Sequence, residues 1–373
     1  MSPLNRRRQL VAVVSFGLLI ASVTACSDDA DSRRSSSTTD AASSATAGGR
    51  AEALGALADS LIVPSYGRLK WALIDFEAAS TRLCATPGES TLDAARLAWR
   101  EAITAWSTTS AFGVGPAMQH RLMSAVGFDA REASVDNLLR EGGPVGPSSL
   151  AKQGAAVRGL LAAEIALYGD GSESLLTSAG ARRCEYLASV ATVTSKAVAV
   201  VADEWLTGTA RAEFVSLVGS DVEDSLPQLL NEVTQAVRDV DERSLRDIAA
   251  AASYGELSEG RRDGPGSFVL AQRRAQIRGA VTAIGSGEVG LVGMVRTVSP
   301  ETAIRLEAAA SGAMDAMNAL PDSVEDVFDP STENAAKVDS AAERVAELKV
   351  VLVTEVASQL GVTVTLGDGD GDA

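Results

Sequence analysis

Histidine is nearly missing from this 373-residue chain: His120 is the only one. A zinc site built on several imidazoles is therefore excluded. A hydrolase triad would have to be assembled around His120, which sits in Met118-Gln119-His120-Arg121 outside any ligand spacing, and no Gly-x-Ser-x-Gly elbow accompanies it. Aromatic residues make up only 4% of the chain, and alanine supplies much of the 46% that is hydrophobic. A core of Ala, Leu and Val suits closely packed helices better than a sandwich, and runs that alternate with period two are scarce. Positive charge is in deficit as well. The formal net charge is −16, with five lysines against twenty-eight arginines, which argues against nucleic acid and against electrostatic binding to anionic lipid. The same balance is compatible with cationic ligands.

The N-terminus carries an address. Arg6-Arg7-Arg8 form a positive n-region, Leu10 to Ala21 an apolar stretch, and Val23-Thr24-Ala25-Cys26 a cleavage site. This stretch is too short to span a bilayer, which takes about 20 apolar residues, so residues 1–25 read as a signal peptide. The cleavage site resembles the lipobox of bacterial lipoproteins, which makes Cys26 the lipidated first residue and the membrane a partner through its acyl chains. The competing reading is ordinary cleavage with Cys26 a free thiol. Arg7-Arg8 also loosely resembles a twin-arginine signal, leaving the export route open between Sec and twin-arginine. Residues 26–50, rich in Ser, Thr, Ala and Asp, read as a flexible tether. The expected location is extracytoplasmic and lipid-anchored.

Of three cysteines, Cys26 is taken by lipid, which leaves Cys84 and Cys184 for each other, against the alternative of two buried thiols. Helical spacing is visible in Leu69, Leu73 and Phe76, and in Ala95, Ala98, Trp99, Ala102, Ile103 and Trp106. Pro64 fits a first helical turn, and Pro87-Gly88 breaks the chain before a helix over about 90–111. Further helices are expected over about 149–168, 181–206, 220–252, 268–284, 300–319 and 332–360. The stretch Trp205-Leu206-Thr207-Gly208 divides the fold, expected to be all-α, into two packed bundles over residues 51–207 and 208–362, followed by an acidic tail over 363–373. The tail's Asp368-Gly369-Asp370-Gly371-Asp372 stops before the bidentate glutamate that a calcium loop needs.

In order and spacing the chain resembles the imelysin family over about residues 52–372. The resemblance rests on Val63-Pro64-Ser65-Tyr66, Cys84 with Ala85-Thr86-Pro87, Ala98-Trp99-Arg100, Ala105-Trp106, and Phe112 with Gly115-Pro116. It continues through Val157-Arg158-Gly159-Leu160 to Glu164, Arg182-Arg183-Cys184-Glu185-Tyr186-Leu187, Leu320-Pro321 and Leu360-Gly361-Val362-Thr363. The resemblance implies two four-helix-like bundles around a cleft, an extracytoplasmic place, a link to iron uptake and, in some members, peptidase activity. The family signature is Gly-x-His-x-x-Glu, whose His and Glu share one helical face and could share a metal ion. Here Gly159 and Glu164 match, and Leu161 stands at the histidine position, where an isobutyl group can neither bind metal nor move a proton. Ser110 and Gly113 likewise stand where relatives carry a glutamate and an arginine, so the cleft's polar centre is expected to be thinned.

Glu164 is the leading candidate binding residue, with Gly159, Arg158 and Arg131 beside it as candidates and with Arg158 or Arg131 as its partner, because a carboxylate among apolar neighbours needs one. The competing reading of Glu164 is a purely structural carboxylate. No catalytic residue is assigned. The expected function is a non-enzymatic, envelope-anchored binding or accessory protein linked to iron or another cation. An interaction module with a degenerate cleft, acting on an envelope protein partner, and a metal-dependent peptidase are the alternatives.

Overall fold

Helix follows from the residue spacing almost everywhere. The computed structural model describes residues 48–248, 268–328 and 333–365, apart from the side chain of Arg243. The expected signal peptide, Cys26 and the final Asp368-Gly369-Asp370 stretch lie outside the described residues, which contain helices and no strands.

Four helices of the first half form a closed ring: α1 (Val63–Ala85), α2 (Glu89–Thr109), α4 (Gly159–Tyr168) and α5 (Ala181–Thr207). α1 packs on α2 and α5, and α4 closes the ring between α2 and α5. The buried positions of α2, Ala95, Ala98, Trp99, Ala102, Ile103 and Trp106, follow the i, i+3, i+4 rule that marks one helix face. The short α3 (Glu132–Arg140) lies against α4 and α5. α5 is apolar and long enough to cross a membrane by those criteria alone, yet more than half of that stretch, 56%, is buried inside the protein.

After α6 (Thr209–Ser216) comes a second closed ring, made of α7 (Ser225–Val240), α8 (Val269–Ile284), α10 (Pro300–Asn318) and α11 (Asn334–Val350). The short α9 (Leu291–Val298) packs on α10. α10 has a clear start signal: Pro300 occupies the first turn and the Ser299 hydroxyl accepts the Thr302 N–H at 3.3 Å.

The rings meet where α2 runs along α8, and where the 3-10 turn Ser110–Phe112 touches α7 and α8. Gly279 permits this approach, since a Cβ there would lie 2.2 Å from the Thr108 carbonyl oxygen.

Several local expectations change. Pro64 does not open a helix, because the chain is already helical at Gly48 and reaches Val63 through a π turn at Ala58–Ile62. The π turn carries the helix into Pro64, whose missing N–H would interrupt an ordinary ladder. Arg50, expected at the end of a tether, donates to the carbonyl oxygens of Gly219 and Leu360 at 3.2 and 3.0 Å. The helix expected over 149–168 is broken into a turn at Pro147–Leu150, a 3-10 turn at Ala155–Val157 and α4. The break ends at Gly159, the first residue of α4, whose φ of +81° is left-handed.

Candidate functional site

The Gly159 to Glu164 segment owes its geometry to its first residue. Besides its left-handed backbone, a Cβ on Gly159 would lie 2.5 Å from the Val126 carbonyl oxygen, so only glycine lets α4 start against the short helix Leu122–Val126. Two aromatic anchors hold this start: Trp99 Nε1 donates to Leu160 O at 2.9 Å, and Tyr186 Oη donates to Val157 O at 3.0 Å. Half-buried Leu161 packs at the edge of the core.

Glu164, one turn further, is 5% exposed, and burial pushes its carboxyl well above the usual carboxylate range. The opposing influence is the charge of Arg273, which reaches it from α8 in the second ring. Arg158 and Arg131 were the expected partners, and the structure replaces them. Arg158 donates to the Ala151 carbonyl at 3.1 Å, and Arg131 is the residue before α3, with its backbone N–H on the Ala156 carbonyl. A partner from a different bundle carries no signal in local sequence spacing.

The thinned polar centre is also corrected. Ser110 sits in the 3-10 turn with its hydroxyl on the Ser107 carbonyl at 2.8 Å, and Gly113 follows at the turn's end. A Cβ on Gly113 would lie 2.3 Å from an oxygen of Glu232, which comes from α7. The space that a side chain at 113 would fill is thus occupied by a carboxylate from the other ring. Glu232 lines a cavity of about 120 Å³ whose wall includes Tyr66, Thr109, Ser110, Gly113 and Arg121. Burial first, and then the negative charge of Asp239, raise its carboxyl to about 7. Tyr66 donates to the Phe112 carbonyl at 2.8 Å, so its hydroxyl is committed to the turn. Arg121 holds the left-handed conformation, at φ 49°, unusual for a residue with a side chain. Sequence reading missed Glu232; the one available signal was the glycine at 113, whose missing volume had to be filled.

A larger groove of about 530 Å³ lies beside this cavity, and Thr109 is in the wall of both. Its lining includes Arg68 of α1, Arg100, Glu101 and Thr104 of α2, and Arg278 and Thr282 of α8.

His120 makes a surface pair, its Nε2 lying 2.8 Å from a Glu204 carboxylate oxygen. Among the described residues, no three His, Cys, Asp or Glu side chains are grouped so that they could hold a metal ion. Cys84 and Cys184 are joined by a disulfide between α1 and α5.

Two closed four-helix rings, sharing an interface lined with carboxylates and arginines, define an all-helical two-bundle protein. The chain belongs to the imelysin family, whose model matches residues 62–352. A crystal structure of an imelysin-like protein from Psychrobacter arcticum 273-4 matches with a TM-score of 0.68 at 16% identity, over 86% of this chain and 98% of that one. A Parabacteroides distasonis ATCC 8503 protein, described as an iron-regulated protein A precursor, matches with a TM-score of 0.66 at 18% identity, over 83% of this chain and 95% of that one. A search of the curated proteins finds no match.

Proposed function

We propose that this chain is an extracytoplasmic, lipid-anchored binding protein of the imelysin family, serving iron or cation handling without catalysing a reaction. The observation that carries the reading is Glu232: a carboxylate in a cavity of about 120 Å³, raised to about 7 and without a hydrogen bond or ion pair among the described residues. Such a group offers acceptor oxygens that no described residue engages, and an incoming cation would take them up. Carboxylate and hydroxyl oxygens suit a hard cation such as iron(III). Ser110 and Thr109, whose hydroxyls donate to the Ser107 and Ala105 carbonyls and keep oxygen lone pairs, are other side-chain oxygens in the wall, which Arg121 also lines. Because the carboxyl titrates near neutrality, cation binding would release a proton at slightly acid pH.

Four further observations support the reading. The Cys84 to Cys184 bridge fits an oxidising compartment. The lipobox-like Val23-Thr24-Ala25-Cys26 supplies the anchor, and a structural relative is described as iron-regulated. The motif position held by Leu161 removes the imidazole that a metal-dependent peptidase of this family would use.

The test is calorimetric titration of the purified chain with iron(III), iron(II), zinc and calcium, beside Glu232→Gln and Glu164→Gln. One-to-one binding of a cation, lost in Glu232→Gln, is expected. Absence of binding by the intact protein would overturn the cation reading and leave an interaction module for an envelope protein partner.

A further inference from the structure

In a chain of net charge −16, three guanidinium groups collect around one groove. Arg68, Arg100 and Arg278 line it from three different helices, with Glu101 the one carboxylate among them. Glu101 forms no ion pair with any described residue, and its one negative charge leaves the three guanidinium groups in excess. Arg278 has neither a hydrogen bond nor an ion pair to any described residue, and its side chain is exposed.

Arg100 is held in place by a face rather than by a charge. Its guanidinium carbon lies 5.9 Å from the centroid of Tyr168 and 5.8 Å from that of Phe268, and its Nε donates to the Tyr168 hydroxyl at 3.2 Å. That arrangement leaves its two terminal nitrogens for another acceptor. Arg68 spends one nitrogen on the Ser65 hydroxyl at 3.0 Å and keeps the others.

The groove's threonines add an organic character. Thr108, Thr109 and Thr282 turn their hydroxyls onto carbonyls of the preceding turn, at 2.9, 2.8 and 2.7 Å, so their donors are spent within their own helices. Thr104 is the threonine whose hydroxyl makes no hydrogen bond among the described residues. Ala105 and the threonine methyls give an apolar wall below a cationic rim. A volume of about 530 Å³ is within the range of small-molecule sites.

We infer that this groove binds a small organic polyanion, a molecule with two or more carboxylate or phosphate groups on a carbon body. Planar guanidinium forks match such oxyanions in pairs, and the body would lie on the threonine and alanine wall. The inference does not depend on the cation reading of Glu232, although Thr109 stands between the two cavities.

The experiment uses the purified chain and calorimetric titration with citrate, with iron(III) citrate, and with acetate as a monovalent control. Citrate is expected to bind and acetate not to. Removing Arg278 or Arg100, as Arg278→Ala or Arg100→Ala, should weaken citrate binding about tenfold each, the loss of one charge-assisted hydrogen bond. Arg278→Lys should retain part of the affinity, and raising the salt concentration should weaken binding. Glu232→Gln should leave citrate binding unchanged, which separates this site from the cation cavity. No binding of either citrate form, or binding indifferent to both arginine substitutions, would overturn the proposal. Arg278 is exposed and makes no hydrogen bond or ion pair with any described residue, so loss of binding in its variant reads on the ligand.

Discussion

The two rings are braced by different chemistry. The first holds all four tryptophans of the chain and the Cys84 to Cys184 disulfide, and its aromatic groups donate to backbone carbonyls: Trp99 to Leu160, Tyr186 to Val157 and Tyr66 to Phe112. The second has no tryptophan and leans on ion pairs. Asp241, wholly buried, receives Lys349 at 2.6 Å and Arg246 at 2.8 Å, while Arg305 binds Glu355 at 2.6 Å. Covalent and neutral bracing is indifferent to salt, whereas charged bracing is not. Charged groups without an ion-pair partner among the described residues, Glu232 and Arg278 among them, stand where the two differently built rings meet.

The largest effect expected on this comparison comes from Gly159. Gly159→Ala forces a left-handed alanine and a clash with the Val126 carbonyl, and should cost about 3–5 kcal/mol in urea denaturation, with the loss confined to the first ring. A change below about 1 kcal/mol would mean that α4 is not anchored at its start.

Next is the disulfide. Its partners are 100 residues apart, and the Cys84→Ser, Cys184→Ser pair should cost about 4 kcal/mol on the chain-entropy model. That cost should not vary between low and high salt. The contrasting case is Lys349→Ala, which leaves buried Asp241 with Arg246 alone and should cost about 2–3 kcal/mol. Equal salt sensitivity of the two variants would erase the distinction between the rings.

The smallest effect is a pH dependence at their interface. The Glu232 carboxyl is raised from 4.5 to about 7 in the folded protein, so the folded state holds its proton over a range where the unfolded chain has released it. Stability from this group is therefore fully present below about 4.5 and declines as pH rises towards 7, by up to about 3 kcal/mol and less to the extent that cavity water reaches the carboxylate. Glu232→Gln should flatten that decline, so its melting temperature should exceed that of the parent above pH 7 and match it below pH 4.5. Parallel pH profiles would show that the carboxyl is solvated.

The rings could be read along the chain because helical spacing is local: Ala95 to Trp106 names its buried face without any neighbour. The helix expected over 149–168 failed for an equally local reason, since a left-handed glycine at 159 looks the same in sequence as a helical one. No helix was expected between 284 and 300, where α9, Leu291–Val298, forms; its eight residues make little more than two turns, too few for a helical period to stand out.

By itself, the sequence determined the all-helical class, the family, the pairing of Cys84 with Cys184 and the loss of the motif imidazole at Leu161. These depend on residue type, order and short-range periodicity. Only the tertiary structure decided that the charge of Arg273, rather than of Arg158 or Arg131, acts on Glu164, and that Glu232 fills the place left by Gly113. The same is true of the meeting of Arg68, Arg100 and Arg278 around one groove. Each brings a residue of the second ring against residues of the first that lie more than 100 positions away in the chain, and such contacts are set by how helices pack rather than by any spacing within them.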